Sequence, residues 1–157
     1  MKILIAMDSF KESLSSFEAA RAAEKGFRRV CPEAEISLIP VADGGEGTTE
    51  ALVYAAGGKQ EQVAVLDPLG RERRCYYGIL PDGTAVIEAA AAAGLQLLRR
   101  EERNPLHTTS YGLGQMIAAA IKKGCRNFVI GLGGSGTNDL GVNIGADVDT
   151  ALFILMT

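Results

Sequence analysis

Residues 36–58 read Ile-Ser-Leu-Ile-Pro-Val-Ala-Asp-Gly-Gly-Glu-Gly-Thr-Thr-Glu-Ala-Leu-Val-Tyr-Ala-Ala-Gly-Gly. An apolar run, Ile36 to Val41, empties into the glycine-rich segment Asp43–Thr48. Glu50 to Ala56 then continues at helical spacing until Gly57-Gly58 stops it. The same order stands upstream. Lys2 to Ala6 is a first buried strand, and Ser15 with Glu18 forms a capping box. Phe17, Ala20, Ala23, Phe27 and Val30 follow as one apolar helical face, with Pro32 just beyond the end. This β-α-β-α alternation predicts an α/β fold with a mostly parallel sheet and helices on its faces.

The pattern changes near Lys59. Gln62 to Leu66, Arg73 to Leu80 and Thr84 to Ile87 are short strand-like runs joined by Asp67-Pro68-Leu69-Gly70 and Pro81-Asp82-Gly83. Both connections are turn sequences, so these strands are expected to run antiparallel as a meander in a separate subdomain. The boundary falls between residues 1–58 and 59–157. Glu88 to Leu98 is Ala-rich and expected to be helical. Tyr111 to Lys123 carries Leu113, Met116, Ile117, Ala120 and Ile121 on one face, with Gly124 as its stop. Asn127 to Ile130 is the next strand, and the tail offers one weak strand or helix over 150–156.

Composition narrows the function. A hydrophobic content of 47% suits a folded core, while a net charge of −3 with scattered Lys and Arg leaves no basic stripe for nucleic acid. The apolar run Ala151 to Met156 is far short of the roughly 18 residues of a membrane span. Asp8 and Lys11 cut the apolar N-terminus too short for a signal peptide, so no membrane partner is expected and the location is expected to be cytoplasmic. Cys31, Cys75 and Cys125 contain no Cys-x-x-Cys pair and read as reduced thiols; His107 is the only histidine, which excludes His-based metal clusters.

Chemistry concentrates in three places. Asp8-Ser9-Phe10-Lys11-Glu12-Ser13 follows the first strand, where open α/β sheets bind ligands, and Lys11 there is a point charge for phosphate or carboxylate. Gly44, Gly45 and Gly47 precede a helix N-terminus that favours an anion, and Asp43 or Glu46 can hold Mg²⁺ or a substrate hydroxyl. The bland alternative is a turn in which Asp43 caps the helix. Gly131-Leu132-Gly133-Gly134-Ser135-Gly136 follows a strand as a phosphate nest or a plain glycine loop. It formally matches Gly-x-Gly-x-x-Gly, although Asp147 and Asp149 come too early for a dinucleotide fingerprint, and no P-loop sequence is present. Glu88 ends an apolar strand as a partly buried acid, and His107 to Ser110 precede a helix that could also touch an anion.

These segments, in this order, resemble the type I glycerate kinases. The matching stretches are Met1–Ala6 with Asp8–Ser15, Pro40–Thr48, Asp67–Gly70, Ile87–Ala90, Gly94-Leu95, Asn104–Leu106, Thr108–Gly112 and Gly133–Asp139. The resemblance implies ATP- and Mg²⁺-dependent phosphorylation of glycerate. It also implies a Rossmann-like domain, begun by residues 1–58, with a second α/β domain inserted into it. Carried onto this chain, Lys11, Asp43 and Asp139 are the expected catalytic residues, with Asp43 and Glu46 as Mg²⁺ ligands. Ser9, Gly44, Gly45, Glu46, Gly47, Thr48, Gly133, Gly134, Ser135, Thr137 and Asn138 are expected to line the substrate and nucleotide site.

Two departures stand out. Met7 replaces a proline common in the first signature, and Leu140 onward does not resemble the family's longer continuation. The chain therefore reads as truncated, with little turnover expected from it alone. Two rivals remain: a non-catalytic remnant that binds small molecules, and a dinucleotide-binding module using Gly131–Gly136.

Overall fold

The computed structural model describes residues 1–10, 13–139 and 141 in full, and the backbone of 152–156. Strand β1 (Lys2–Met7) leads to helix α1 (Ser16–Val30), and β2 (Glu35–Pro40) to α2 (Thr48–Ala56). There follow β3 (Lys59–Leu66), β4 (Glu72–Ile79), β5 (Ala85–Glu88), the short helix α3 (Ala89–Ala93), α4 (Tyr111–Lys122), β6 (Asn127–Gly131) and β7 (Leu152–Met156). The class is α/β with parallel and antiparallel pairing, as the alternation and the turn sequences require.

β1 and β2 pair in parallel, with Ile3 opposite Ile36 and Ile5 opposite Leu38. The other five strands form one sheet in the order β3-β4-β5-β6-β7. Its first three strands are the expected antiparallel meander, and β5, β6 and β7 run parallel. Helix α4 covers one face of this sheet. Leu113, Met116, Ile117 and Ala120 pack with Tyr77, Ile87, Phe128 and Ile130 in the main core. On the other face Val53 of α2 lies against Gly78 of β4, where a Cβ would strike it.

Three local features follow directly from sequence chemistry. The capping box forms: the Glu18 N–H donates to Ser15 Oγ at 3.2 Å and the Ser15 N–H to Glu18 Oε2 at 2.8 Å. Gly57 ends α2 in the left-handed region at φ 71°, where its lack of a Cβ removes the steric cost. Arg71 donates to Asp67 at 2.5 Å and to Glu102 at 3.0 Å, and Arg99 donates to Glu102 at 2.7 Å. These hydrogen bonds hold the Glu102 carboxyl down at about 2.

Two expectations need correction. The helix over 88–98 stops at Ala93, because Gly94 is extended and its neighbours pair with another loop. The Leu95 N–H donates to Gly134 O at 2.9 Å, and the Gly136 N–H to Ala93 O at 2.7 Å. The apolar stripe of α1 is only partly buried. Ala20 is covered and Phe17 meets Tyr54 edge-on at 4.9 Å, while Phe27 and Val30 are exposed. The narrow β1–β2 sheet receives α1 through small residues, Ser16, Ala19 and Ala20. Its opposite face leaves Leu4 62% exposed, unusual for parallel strands, which are ordinarily covered on both sides.

Burial sets a contrast that denaturant unfolding checks. Phe128→Ala, at a fully buried core position, is expected to cost about 3–5 kcal/mol. Leu4→Ala, on the open face, is expected to stay within about 0.5 kcal/mol.

Candidate functional site

The two glycine-rich loops touch backbone to backbone. The Gly133 N–H donates to Gly44 O at 3.0 Å. A Cβ on Gly131 would collide with the Gly44 carbonyl oxygen, and one on Gly133 would lie 2.7 Å from Gly45 Cα. Further along, a Cβ on Gly136 would lie 2.8 Å from the backbone of Leu95. Part of the glycine content thus serves loop-to-loop contact. Gly134 is different: it stands at φ 74°, in the left-handed region. Among the described residues, the Gly134 N–H has no hydrogen-bond acceptor, while Ser135 closes a turn onto Leu132, whose carbonyl also accepts its hydroxyl at 3.1 Å.

Two anion positions that the sequence suggests are filled by the protein's own carboxylates. At the head of α2, Glu88 Oε1 accepts the Thr49 N–H at 2.6 Å, with the Gly47 backbone close by. Burial pushes the Glu88 carboxyl up, and nearby Glu46 adds to that, against the pull of the donated hydrogen bonds. At the head of α4, Asp139 Oδ2 accepts the Ser110 N–H at 2.7 Å, the Ser110 hydroxyl at 3.0 Å and the Thr109 hydroxyl at 3.3 Å. Each carboxylate meets backbone N–H groups that a helix start leaves unpaired. Asp43 does not cap α2; its Oδ1 accepts the Gly45 N–H at 3.1 Å within the loop.

A cavity of about 220 Å³ opens beside the loop contact. Ser9 after β1, Asp43, Gly45 and Glu46 after β2, and Gly133 and Gly134 after β6 line it, together with Leu95, Gln96 and Arg103. Sequence reasoning brought the first six together and missed the last three. A second cavity, about 210 Å³, continues past Leu95 and Arg103 along Ser135, Gly136 and Thr137. Thr137, Asn138 and Asp139 face a third, on the far side of the glycine loop beside Ala89 and Leu113, so Asp139 does not line the cavity of Asp43 and Glu46. Gly44 and Thr48 lie in the loop wall as buried residues, and Gly47 borders a neighbouring cavity. Lys11 and Asp147 and Asp149 lie outside the described residues.

That neighbouring cavity, about 340 Å³, shares Ser9 and Glu46 with the first and adds Ser16, Thr49, Arg73 and Glu88. The Ser16 and Thr49 hydroxyls and Arg73 Nε are buried without hydrogen-bond partners among the described residues. None of these carries a local sequence signal. Among the described residues no three His, Cys, Asp or Glu side chains cluster as a metal cage. Asp43 and Glu46 together nevertheless suit Mg²⁺, which takes one or two carboxylates and completes its shell with water and phosphate. No described helix is long and apolar enough to cross a membrane.

The chain is thus a mixed α/β protein in which two glycine loops meet beside a cavity lined by Asp43 and Glu46. The chain belongs to the glycerate kinase family, whose family model matches residues 3–152. It is 52% identical over 145 residues to the glycerate kinase of Haemophilus influenzae and likewise to the glycerate 2-kinase of Escherichia coli. In both comparisons 92% of this chain is covered, and the chain spans 38% of the relative's length. A crystal structure assigned as glycerate kinase 2 from Salmonella typhimurium LT2 matches with a TM-score of 0.74 at 48% identity, over 92% of this chain and 39% of that one.

Two substitutions probe this site. Gly131→Ala is expected to destabilise by about 1–3 kcal/mol through the Gly44 clash, whereas Gly26→Ala in α1, with open space around it, should stabilise by about 0.5–1 kcal/mol. Glu88→Gln tests the buried acid. Because its folded pKa lies above the ordinary 4.5, the stability it contributes is present below that value and is lost as pH rises through the folded pKa. The stability difference between wild type and Glu88→Gln, measured by denaturant titration, should therefore fall from acid toward neutral pH. A flat difference contradicts the assignment.

Proposed function

We propose that this protein takes part in ATP-dependent phosphorylation of glycerate, with Mg²⁺, and that the cavity beside the two glycine loops holds the phosphates. The observation that carries the reading is the convergence of Asp43, Glu46, Ser9 and the Gly133–Gly134 backbone on one cavity, in a chain of this family. Phosphoryl transfer needs positioning and charge neutralisation more than covalent participation. Loop N–H groups would orient phosphate oxygens, and Asp43 with Glu46 would hold the metal that offsets their charge. Lys11, following Ser9 in the chain, would add a further cation. Asp139 would act by fixing the glycine loop to the start of α4. The adjoining cavity supports a place for the acceptor, since Arg73 suits a carboxylate and the Ser16 and Thr49 hydroxyls suit an alcohol.

The separate pairing of β1 with β2 supports assigning residues 1–58 to a Rossmann-like domain and 59–157 to a second α/β domain inserted into it. A kinase using ATP works where ATP is made, so the reading places the protein in the cytoplasm. A second reading is binding of these small molecules without turnover.

Calorimetric titration with ATP and with glycerate, alongside an ADP-release assay, tests both. Binding of ATP should depend on Mg²⁺ and weaken about 10-fold or more in Asp43→Asn, and any ADP formed should require glycerate. Glycerate-dependent ADP release supports the kinase, while binding of both ligands with no ADP supports the second reading. ATP binding indifferent to Mg²⁺ and to Asp43→Asn overturns the metal-and-phosphate assignment.

A further inference from the structure

Arg103 sits where two cavities meet. One is lined by Gly133 and Gly134, the other by Ser135, Gly136 and Thr137, and both are lined by Leu95 and Arg103. Five consecutive residues of one loop thus line the two cavities that share Arg103. Its Nε donates to Leu98 O at 3.2 Å, which restrains the group and leaves the terminal amino groups without a protein acceptor among the described residues. Arg103 has no carboxylate partner among the described residues. Two other arginines nearby do: Arg99 and Arg71 both pair with Glu102. That network also anchors the turn on which Arg103 stands.

We infer that Arg103 is the arginine that clamps the phosphate chain of the nucleotide, lying along residues 133–137 across both cavities; this rests on the phosphate-binding reading above. Three physical points favour an extended polyphosphate. A planar guanidinium with a fixed Nε presents a fork matched to phosphate oxygens. The N–H group of Gly134, bordering the first cavity, has no acceptor among the described residues and supplies a further donor along the same line. Asp43 and Glu46 in the first cavity repel an anion, so a phosphate chain there needs both the metal and a fixed cation beyond it. A small hydroxy acid would occupy one cavity and gain little from a cation at their junction.

The test uses the whole 157-residue chain with Mg²⁺ and three probes: ATP, inorganic tripolyphosphate and glycerate. Arg103→Gln is expected to weaken ATP and tripolyphosphate at least 10-fold and to leave glycerate within 2-fold, as expected for loss of a charge-assisted hydrogen-bonding group. Arg103→Lys, which keeps the charge without the fork, should fall between. Arg100→Gln, the same charge change three residues away, should leave all three affinities unchanged. Thermal unfolding establishes that each variant is folded, and Arg103→Lys carries the test if Arg103→Gln is not. Equal losses in Arg100→Gln and Arg103→Gln, or a loss confined to glycerate, overturn the clamp and leave the kinase reading standing. Wild-type protein that binds neither ATP nor glycerate overturns both.

Discussion

The backbone contact between Gly44–Gly45 and Gly131–Gly133 is the constraint on which the site depends. One loop leaves the two-stranded sheet and the other leaves the five-stranded sheet, and they meet through the 3.0 Å hydrogen bond from Gly133 to Gly44. Any side chain on Gly131 would push them apart by striking the Gly44 carbonyl. Beneath them, Glu88 lies in register with Gly131 at the end of β5 and reaches the head of α2 with its carboxylate. One buried acid therefore ties the strand end to the helix that follows the first loop. Helix α2 packs on both β2 and the β4–β5 region, so the position of the Asp43–Thr48 loop is set from below as well as from across.

Electrostatics divides the work between helix ends and loops. A helix N-terminus attracts negative charge, yet the starts of α2 and α4 are served by Glu88 and Asp139. An incoming phosphate at either position would displace an internal carboxylate that already accepts backbone hydrogen bonds. The donors left over lie in the glycine loop itself, at Gly134, and at the Arg103 side chain. The helix dipoles of α2 and α4 thus hold Glu88 and Asp139, and through them the adjoining strand end and loop, in place.

Much of this architecture was legible in the residues. The Ser15–Glu18 box, the Gly57 stop and the turn sequences at Asp67 and Asp82 act locally, so the elements they bound could be read from adjacent positions. The glycines were legible as a departure from ordinary loops, but their cause was not. Gly131 and Gly133 avoid a collision with residues nearly 90 positions away, which local sequence does not encode. A second non-local pairing shortened the alanine helix, since Gly94 bridges to Ser135. Phe27 and Val30 showed the opposite failure: helical spacing marked an apolar face, while burial depends on what lies opposite. Arg103 gave no signal, because an arginine after two glutamates reads as a solvated charge until the fold brings the glycine loop beside it.

The site is also the place where the two sheets are joined chemically. Ser9 comes from the end of β1, Asp43 and Glu46 from the loop after β2, and Gly133 and Gly134 from the loop after β6. Only the arrangement in which both loops are in contact presents all of these groups to one cavity. A ligand spanning them binds that arrangement and not a separated one, so its binding free energy adds to the cohesion of the sheets. The β1–β2 sheet has an open face and a thinly covered α1, and its independent stability is correspondingly small. Ligand occupancy would therefore add to the attachment that α2 already gives this sheet, and would stabilise it more than the core around Phe128 and Met116.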